Sequence, residues 1–448
     1  MLVLLPGGAS HWAIHVGYGY LIGILLTTLL MQGIDVLGLT QNFTILSLLL
    51  IVLTAAAGIV AWRSPSVCLP PLRIPIAPWQ RVSMFALAAV IGLRFGNLLL
   101  EIAYRPLFPW DAWATWAVKA PVWLEMGRLV PFVDPQTWLQ SQGAYTVDAW
   151  WYPDTVPLVQ LWTASSLGRW IDTWVNLPWF VCAISLGLGF YGQARTWGCS
   201  PLWSMVFCYL LASLPILDTS VALAGYADLW MASVYSVGAI ALIQWMRTRD
   251  RSQAWLAFLM GGACPLIKEE GFLWQGTLLL ALLAYVCPPR ALLISIWGLV
   301  ATATLFYLVG GFEVTLPSLG QLIVTPDIIQ VPGLGRHQLG FHAVWPSFAD
   351  NLFLLDNWHL LWYLIPMALL LLTGGTWHKS HWRAFHVLIA SELLLVFAIF
   401  FLTEAYLWAQ QYTSINRVLL HAVPIILFYV MALGQFRLKQ CEPLRQPA

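Results

Sequence analysis

Apolar residues occur along this chain in long continuous runs that are separated by short polar stretches. A helix needs about 20 consecutive apolar residues to cross the hydrocarbon core of a bilayer. The pattern therefore predicts an all-α polytopic membrane protein with about 12 (11–13) transmembrane helices in a single domain over 1–448. The runs lie at about 17–37, 44–62, 82–102, 173–194, 201–217, 226–246, 253–267, 271–287, 291–311, 358–374, 384–403 and 416–434.

Composition agrees with a membrane protein. Of 448 residues, 60% are hydrophobic and 9% are charged, whereas soluble domains carry about 25% charged residues. The net charge of +1 gives no indication of a nucleic-acid partner. The seven cysteines are scattered and form no CxxC, so we expect neither a disulfide framework nor a zinc site.

Lysine and arginine in short loops predict the orientation, because positively charged loops remain cytoplasmic. These residues recur two spans apart, which predicts that both termini are inside and that the protein is a multi-pass protein of the cell (inner) membrane. The first run has no small-residue cleavage site, so we expect a retained span and not a signal peptide. The residues that carry the charge pattern are Arg63, Arg73, Arg81, Arg247, Arg249, Arg251, Arg290, Lys379, Arg383, Arg437, Lys439 and Arg445.

One apolar segment, Val156 to Gly168, disagrees with this alternation if it is counted as a span. It has only about 13 residues, which is too short to cross. We therefore predict a re-entrant or interface-lying helix, and we expect residues 103–172 to form one large outer loop with such helices. Residues 312–357 are the second predicted outer loop.

The stretch "RPLFPWDAWATWAVKAPVW", from Arg105 to Trp123, opens this outer loop and contains four tryptophans. Helical spacing predicts an amphipathic helix at the membrane interface, with its indoles at headgroup level. The predicted lipid-facing positions are Trp110, Trp113, Ala117, Ala120 and Trp123 or Leu124. The predicted polar stripe, facing a cavity, is Asp111, Thr115 and Lys119.

The predicted topology gathers the notable polar residues at the outer face, where ionisable groups near the membrane are candidates for function. They are Asp111, Lys119, Tyr152, Asp154, Asp228, Lys268, Glu269, Glu270 and Arg417. Each has an ordinary alternative. Lys268 and Glu269 suit a solvated turn, Asp228 suits a helix N-terminus, and Arg417 suits a snorkelling side chain. Arg94 and Glu101, seven residues apart, suit a buried structural pair.

Several of these segments resemble the GT-C superfamily of membrane glycosyltransferases, in particular the protein O-mannosyltransferase and lipid A aminoarabinose transferase branch. Asp111 after a hydrophobic helix is similar to the acid of that family's first outer loop, and "YPDTVPLVQLW" is similar to its "KPPL.YW"-like stretch. "YADLWMASVYSVGAIAL", "GGACPLIKEEGFLW" and "SINRVLLHAVPIIL" resemble its later spans. The likeness covers roughly residues 85–290 and, more weakly, the end. It departs where Ala112 follows Asp111 and where Tyr152 replaces the lysine.

The resemblance implies transfer of a sugar from a polyprenyl-phosphate donor to a lipid, glycan or protein acceptor at the periplasmic or exterior face. Asp111 is then the expected general base, and Asp228 orients the acceptor or shares a divalent cation with Asp111. The expected substrate-binding residues are Lys119, Tyr152, Asp154, Lys268, Glu269, Glu270 and Arg417. A metal is compatible with this chemistry but not implied by it, since no set of three or four ligands is readable.

Two other functions fit the sequence. A transporter or flippase of a lipid-linked or small hydrophilic substrate would show repeats and charges along a path through the membrane. A non-catalytic envelope scaffold would not need Asp111, Asp228 and Lys268 on one side. No repeat is visible and the charges collect at one face, so the sequence favours the transferase.

Overall fold

The computed structural model describes residues 12–63, 76–316, 320–331 and 335–441, and these fall into two compact units. The first unit comprises the described parts of Met1–Phe272 and Val423–Ala448, and the second comprises those of Leu273–Ala422. Arg73 and Arg445, which belong to the predicted charge pattern, lie outside the described residues.

The first unit is built from helices that are mostly apolar. In chain order they are α1 (Trp12–Val36), α2 (Phe43–Arg63), α3 (Pro78–Tyr104), α4 (Lys119–Met126), α5 (Pro135–Gln140), α6 (Thr155–Leu167), α7 (Leu177–Trp197), α8 (Pro201–Ala212), α9 (Pro215–Ala222), α10 (Asp228–Thr248) and α11 (Arg251–Ile267). A π-helix, Ala112–Trp116, precedes α4, and a 3-10 turn, Trp174–Asn176, leads into α7.

The second unit combines helices with a small sheet. Its helices are α12 (Gly271–Val286), α13 (Pro289–Val309), α14 (Trp345–Ala349), α15 (Leu361–Leu372), α16 (Ser380–Leu402), α17 (Tyr406–Gln410) and α18 (Ile415–Cys441), and a second π-helix spans Asp350–Leu354. α12 begins in the first unit, and α18 ends there.

Within the described residues, seven helices are long and apolar enough to cross a membrane, or eight if α8 and α9 form one broken span. The seven are α1, α2, α3, α7 with its preceding turn, α10, α16 and α18. These helices confirm the prediction of a helical, multi-pass membrane protein. Each of the twelve predicted runs coincides with a helix, except that the run at 201–217 coincides with the pair α8 and α9.

The predicted run at 201–217 is not one straight helix, because α8 and α9 meet at an angle of 59°. Pro215 is the first residue of α9, and Leu214 before it has an extended backbone with φ −64° and ψ 126°. Proline has no N–H for the helix ladder and disfavours helical geometry in the residue before it. The break therefore follows from a residue that hydropathy alone does not weigh.

The second predicted outer loop contains a sheet that the all-α prediction did not include. Four strands, β1 (Phe312–Leu316), β2 (Gly320–Val324), β3 (Ile328–Val331) and β4 (Gly335–Gln338), form an antiparallel sheet in chain order. Their sequences contain many β-branched residues, which favour strands. A hydropathy window long enough to detect a membrane helix also covers the residues on either side of a strand of four or five residues. The signal of so short a strand is therefore lost in the average.

Glycines allow close approach between α1 and α7. A Cβ added at Gly17 would lie 2.5 Å from the Ser185 carbonyl oxygen and 2.6 Å from the Gly189 nitrogen. One added at Gly192 would lie 2.7 Å from the Ile14 nitrogen. Small residues are enriched where membrane helices pack closely, because packing replaces the hydrophobic effect inside a bilayer. The α1 and α7 pair is therefore a structural core of the first unit.

Arg94 and Glu101 do not pair with each other, so the sequence interpretation of a buried structural pair was wrong. Arg94 of α3 forms an ion pair with Asp218 of α9, and Glu101 accepts from Arg105 at 2.9 Å. A spacing of seven residues places two side chains on one face of a helix. It does not tell whether a closer partner lies on a neighbouring element.

We expect Gly17→Ala to destabilise the protein, because its methyl group would meet the backbone of α7 and not a flexible side chain. Overpacking of this kind costs about 1–3 kcal/mol, which should lower the thermal unfolding midpoint in detergent. Gly23→Ala in the same helix is the matched control, since no atom lies within 4 Å of its added Cβ. Equal midpoints for the two variants would contradict this packing.

Candidate functional site

The stretch after Asp111 is not the continuous α-helix that the sequence predicts. Ala112–Trp116 is a π-helix, and α4 begins only at Lys119. A π-helix advances the chain by a different angle per residue than the 3.6-residue period assumes, so positions after Trp116 are displaced from their predicted face. Short π segments are frequent at functional sites, and this one starts directly after the predicted base.

The tryptophans of this stretch divide into two groups. Trp110 and Trp113 are exposed and pack edge to face with 4.8 Å between ring centroids, as expected of anchors at a membrane interface. Trp123 is buried and donates its Nε1–H to the Val130 carbonyl at 2.9 Å. The prediction that Trp123 faces lipid was therefore wrong, and this indole belongs to the interior of the loop.

Lys119 is a buried hub that organises residues 150–154. Its Nζ lies 3.1 Å from the Trp150 carbonyl oxygen, 3.1 Å from the Tyr152 carbonyl oxygen and 2.7 Å from Asp154 Oδ1. An ammonium group has three N–H donors, so these contacts use all of them. The geometry therefore gives Lys119 a positioning role for residues 150–154, and its predicted contact with substrate stays a prediction.

A second buried lysine connects the ends of α10 and α11. Lys268 Nζ lies 3.2 Å from Asp228 Oδ1 and 3.0 Å from Glu270 Oε1. The Asp228 side chain is 2% exposed and that of Glu270 is 38% exposed. Lys268 is thus held from the inside by one acid and from the solvent side by another, and it is not an ordinary solvated turn residue.

The loop before Asp228 lies against the π-helix. A Cβ added at Gly225 would lie 2.6 Å from Ala112 Cβ, so only glycine permits this approach at its positive φ of +102°. Trp179 fixes the next residue by donating its Nε1–H to the Tyr226 carbonyl at 2.8 Å. These contacts bring the beginning of α10 beside the residue that follows Asp111.

Tyr152 is the point at which these segments converge. Its ring stacks on Trp116 with 4.7 Å between centroids. Burial raises the pKa of the Tyr152 phenol, the positive charge of Lys268 opposes this shift, and the negative charges of Glu270, Glu269 and Asp111 reinforce it.

The structure therefore brings together eight of the nine residues that the sequence selected. Lys119 joins the Tyr152 carbonyl to Asp154, and Lys268 joins Asp228 to Glu270. The seven residues other than Tyr152 are Asp111, Lys119, Asp154, Asp228, Lys268, Glu269 and Glu270. They come from four separate parts of the chain, and all lie in the first unit. Trp116, which stacks on Tyr152, was not among the predicted site residues.

Arg417, the ninth predicted residue, lies in the second unit near the start of α18. Its neighbour Asn416 accepts from Trp358 Nε1 at 2.7 Å and donates to Asn351 Oδ1 at 2.5 Å. These buried hydrogen bonds fix the beginning of the helix that carries Arg417. The role of Arg417 toward a donor phosphate stays a prediction.

A cavity of about 610 Å³ adjoins Tyr152 on the side of Lys119. Aromatic side chains form much of its wall, among them Trp123, Phe132, Trp150, Trp151 and Tyr152. Its polar side chains include Gln32, Asp35, Lys119, Asp154 and Thr155. Sequence reasoning did not select Asp35. The signal that could have identified it is its position as an acid at the predicted outer end of the first span.

The predicted re-entrant segment forms α6, a helix of 13 residues. Its N-terminal part is enclosed by the first unit, with Val156, Leu158 and Leu161 fully or almost fully buried. The helix is shorter than the roughly 17–25 residues of a span. Its depth in the membrane and the outer position of 103–172 stay predictions.

The described residues contain no group of three or more His, Cys, Asp or Glu side chains placed to hold a metal ion.

No protein-family profile, curated protein or solved structure matches this chain.

Loss of the Lys119 ammonium should destabilise the first unit. Lys119→Met keeps the length of the side chain but leaves two carbonyl groups and Asp154 without their donor, which costs about 1–3 kcal/mol. The control Arg105→Met breaks the half-exposed pair with Glu101, and exposed pairs contribute about 0–1 kcal/mol. Thermal unfolding midpoints compare the two, and an equal or larger loss in Arg105→Met would contradict the hub assignment.

Proposed function

We propose that this protein is a membrane glycosyltransferase, similar to the GT-C superfamily, that transfers a sugar from a polyprenyl-phosphate donor to an acceptor hydroxyl. The observation that carries the proposal is the buried Lys268, which lies 3.2 Å from Asp228 and 3.0 Å from Glu270. The π-helix that begins directly after Asp111 packs at Ala112 against Gly225, three residues before Asp228. A carboxylate that can take a proton and a cation that can meet a phosphate are the two groups this reaction needs.

In the proposed reaction, the acceptor hydroxyl gives its proton to the Asp111 carboxylate while its oxygen attacks the anomeric carbon of the donor. The bond between that carbon and the phosphate oxygen breaks, and the electron pair leaves with polyprenyl phosphate. Lys268 stabilises the negative charge of the leaving phosphate. Asp228 holds Lys268 from the buried side at 3.2 Å and so keeps the ammonium in place for this role.

Glu270 has a defined part in donor binding. Lys268 is balanced by two carboxylates before the donor arrives, and a phosphate would meet net negative charge if both stayed. Glu270 is the more exposed of the two, so water can solvate it after displacement, whereas a displaced Asp228 would remain a buried charge without its cation. We infer that the donor phosphate replaces Glu270 beside Lys268.

The proposal includes a location. The helices α11, α12, α13 and α15 would complete about 12 spans, and the segments around Tyr152 would face the periplasm or exterior of the inner membrane. Support comes from the charge pattern of the sequence and from the position of the exposed Trp110 and Trp113 beside Asp111. A polyprenyl-linked donor diffuses in the bilayer and reaches such a site laterally.

The test uses purified protein in nanodiscs with a panel of polyprenyl-phosphate sugars and candidate acceptors, and mass spectrometry detects released polyprenyl phosphate. We expect release by the wild type and a loss of about 10²–10⁴-fold in Asp111→Asn, which is about 3–5 kcal/mol of transition-state stabilisation. Glu125→Gln is the control, since Glu125 is an exposed carboxylate of α4, the helix that follows the π-helix. Each reaction is run with Mg²⁺, with Mn²⁺ and with EDTA.

Wild-type rates in a folded, membrane-inserted Asp111→Asn protein would remove Asp111 as the base. A protein that binds the donors but releases no phosphate from any of them would contradict the transferase. Movement of the intact donor across a liposome membrane would then favour the transporter or flippase.

A further inference from the structure

The cavity beside Lys119 has a chemistry of its own that the donor reaction does not use. We infer that it binds a neutral, hydroxyl-rich carbohydrate, which is the end of the acceptor that receives the sugar. The binding of a carbohydrate stands on the cavity alone, whereas the role of that carbohydrate as acceptor rests on the proposed function.

The charges of the cavity argue against a phosphate-bearing ligand. Its wall includes the carboxylates of Asp35 and Asp154 and the ammonium of Lys119. That ammonium is already engaged with two carbonyl groups and Asp154, so no donor of Lys119 remains for an anion. A phosphate in this space would face Asp35 without a compensating cation. Its loss of hydration would then not be offset by an ion pair.

The same carboxylates suit hydroxyl groups. Asp35 Oδ1 accepts from the Leu129 N–H at 2.9 Å, and Asp154 Oδ1 accepts from Lys119. A carboxylate has about four acceptor sites on its two oxygens, so both acids retain capacity for O–H donors. Gln32 adds an amide that can donate and accept. Hydrogen bonds to charged groups contribute about 1.5–3 kcal/mol each.

The aromatic wall suits the other surface of a sugar. Pyranose rings carry flat C–H faces, and the broad rings of Trp150, Trp151 and Tyr152 offer apolar area beside polar groups. A pocket with aromatic walls and a few convergent polar groups is the usual form of a small-ligand site, at about 300–1,000 Å³. The volume of about 610 Å³ falls within that range.

Tyr152 joins this cavity to the charged cluster. It lines the cavity, and its ring stacks on Trp116, the last residue of the π-helix that begins directly after Asp111. A carbohydrate that fills the cavity therefore reaches Tyr152, and in the proposed reaction its reacting hydroxyl lies there while the donor phosphate lies at Lys268. This separation keeps the anionic donor and the neutral acceptor in spaces of different charge.

Saturation-transfer NMR on the full-length protein in nanodiscs tests the inference without any turnover. The probes are methyl glycosides of neutral hexoses and pentoses, with glucose 1-phosphate as the anionic comparison. We expect at least one neutral glycoside to bind the wild type and to bind at least tenfold more weakly to Asp35→Asn or Trp151→Ala. Asn at position 35 can still accept from Leu129, so Asp35→Asn should fold.

Matched controls exist in the same loop. Asp148→Asn changes an exposed acid, and Trp138→Ala removes a half-exposed indole, and neither residue lines the cavity. Both controls should bind like the wild type. The inference is overturned if no neutral glycoside binds, if binding is unchanged in both cavity variants, or if glucose 1-phosphate binds as tightly as the neutral glycosides.

Two further arms separate the outcomes. A monoglucosyl diacylglycerol in the nanodisc competes with the glycosides if the carbohydrate is lipid-borne, and fails to compete if it belongs to a soluble glycan or glycoprotein. Glycoside binding together with no release of polyprenyl phosphate in the donor assay would retain the carbohydrate site and remove its acceptor role. Failure of the cavity and failure of the transferase are thus distinguished.

Discussion

Two lysines in this protein, Lys119 and Lys268, are buried. The candidate site depends on which groups balance the charge of each ammonium. A buried ammonium is costly unless hydrogen bonds and opposite charge surround it. Lys119 is met by two carbonyl groups and Asp154, which fixes the chain at 150–154. Lys268 is met by Asp228 and Glu270, one buried and one half-exposed. The first arrangement fixes residues 150–154 in one wall of the cavity, and the second leaves Lys268 between a buried carboxylate and a partly exposed one.

The helical framework was readable from the sequence because a membrane imposes a simple requirement. A span must be apolar over about 20 residues, and the predicted runs coincide with helices throughout the described chain. Most of the site was readable for a related reason. Charged residues are rare in such a sequence, so Asp111, Asp228 and Lys268 were conspicuous, and the predicted outer face then grouped them before any distance was known.

Other features depend on contacts that no local pattern reports. The π-helix after Asp111 moves Trp123 into the interior, where it donates to Val130. Arg94 finds Asp218 on another helix, and sequence spacing suggested Glu101. The stacking of Trp116 on Tyr152 joins residues 36 positions apart in the sequence. The strands of the sheet in the second unit are too short to be detected by hydropathy windows of membrane-helix length.

The central claim is that Lys268 receives the phosphate of a polyprenyl lipid. A cryo-EM map of the wild-type protein in nanodiscs with undecaprenyl phosphate tests it most directly. The account predicts a phosphate oxygen about 2.7–2.9 Å from Lys268 Nζ, with Glu270 displaced and Asp228 still in place. A phosphate bound elsewhere, with Lys268 still paired to both Asp228 and Glu270, would contradict the account.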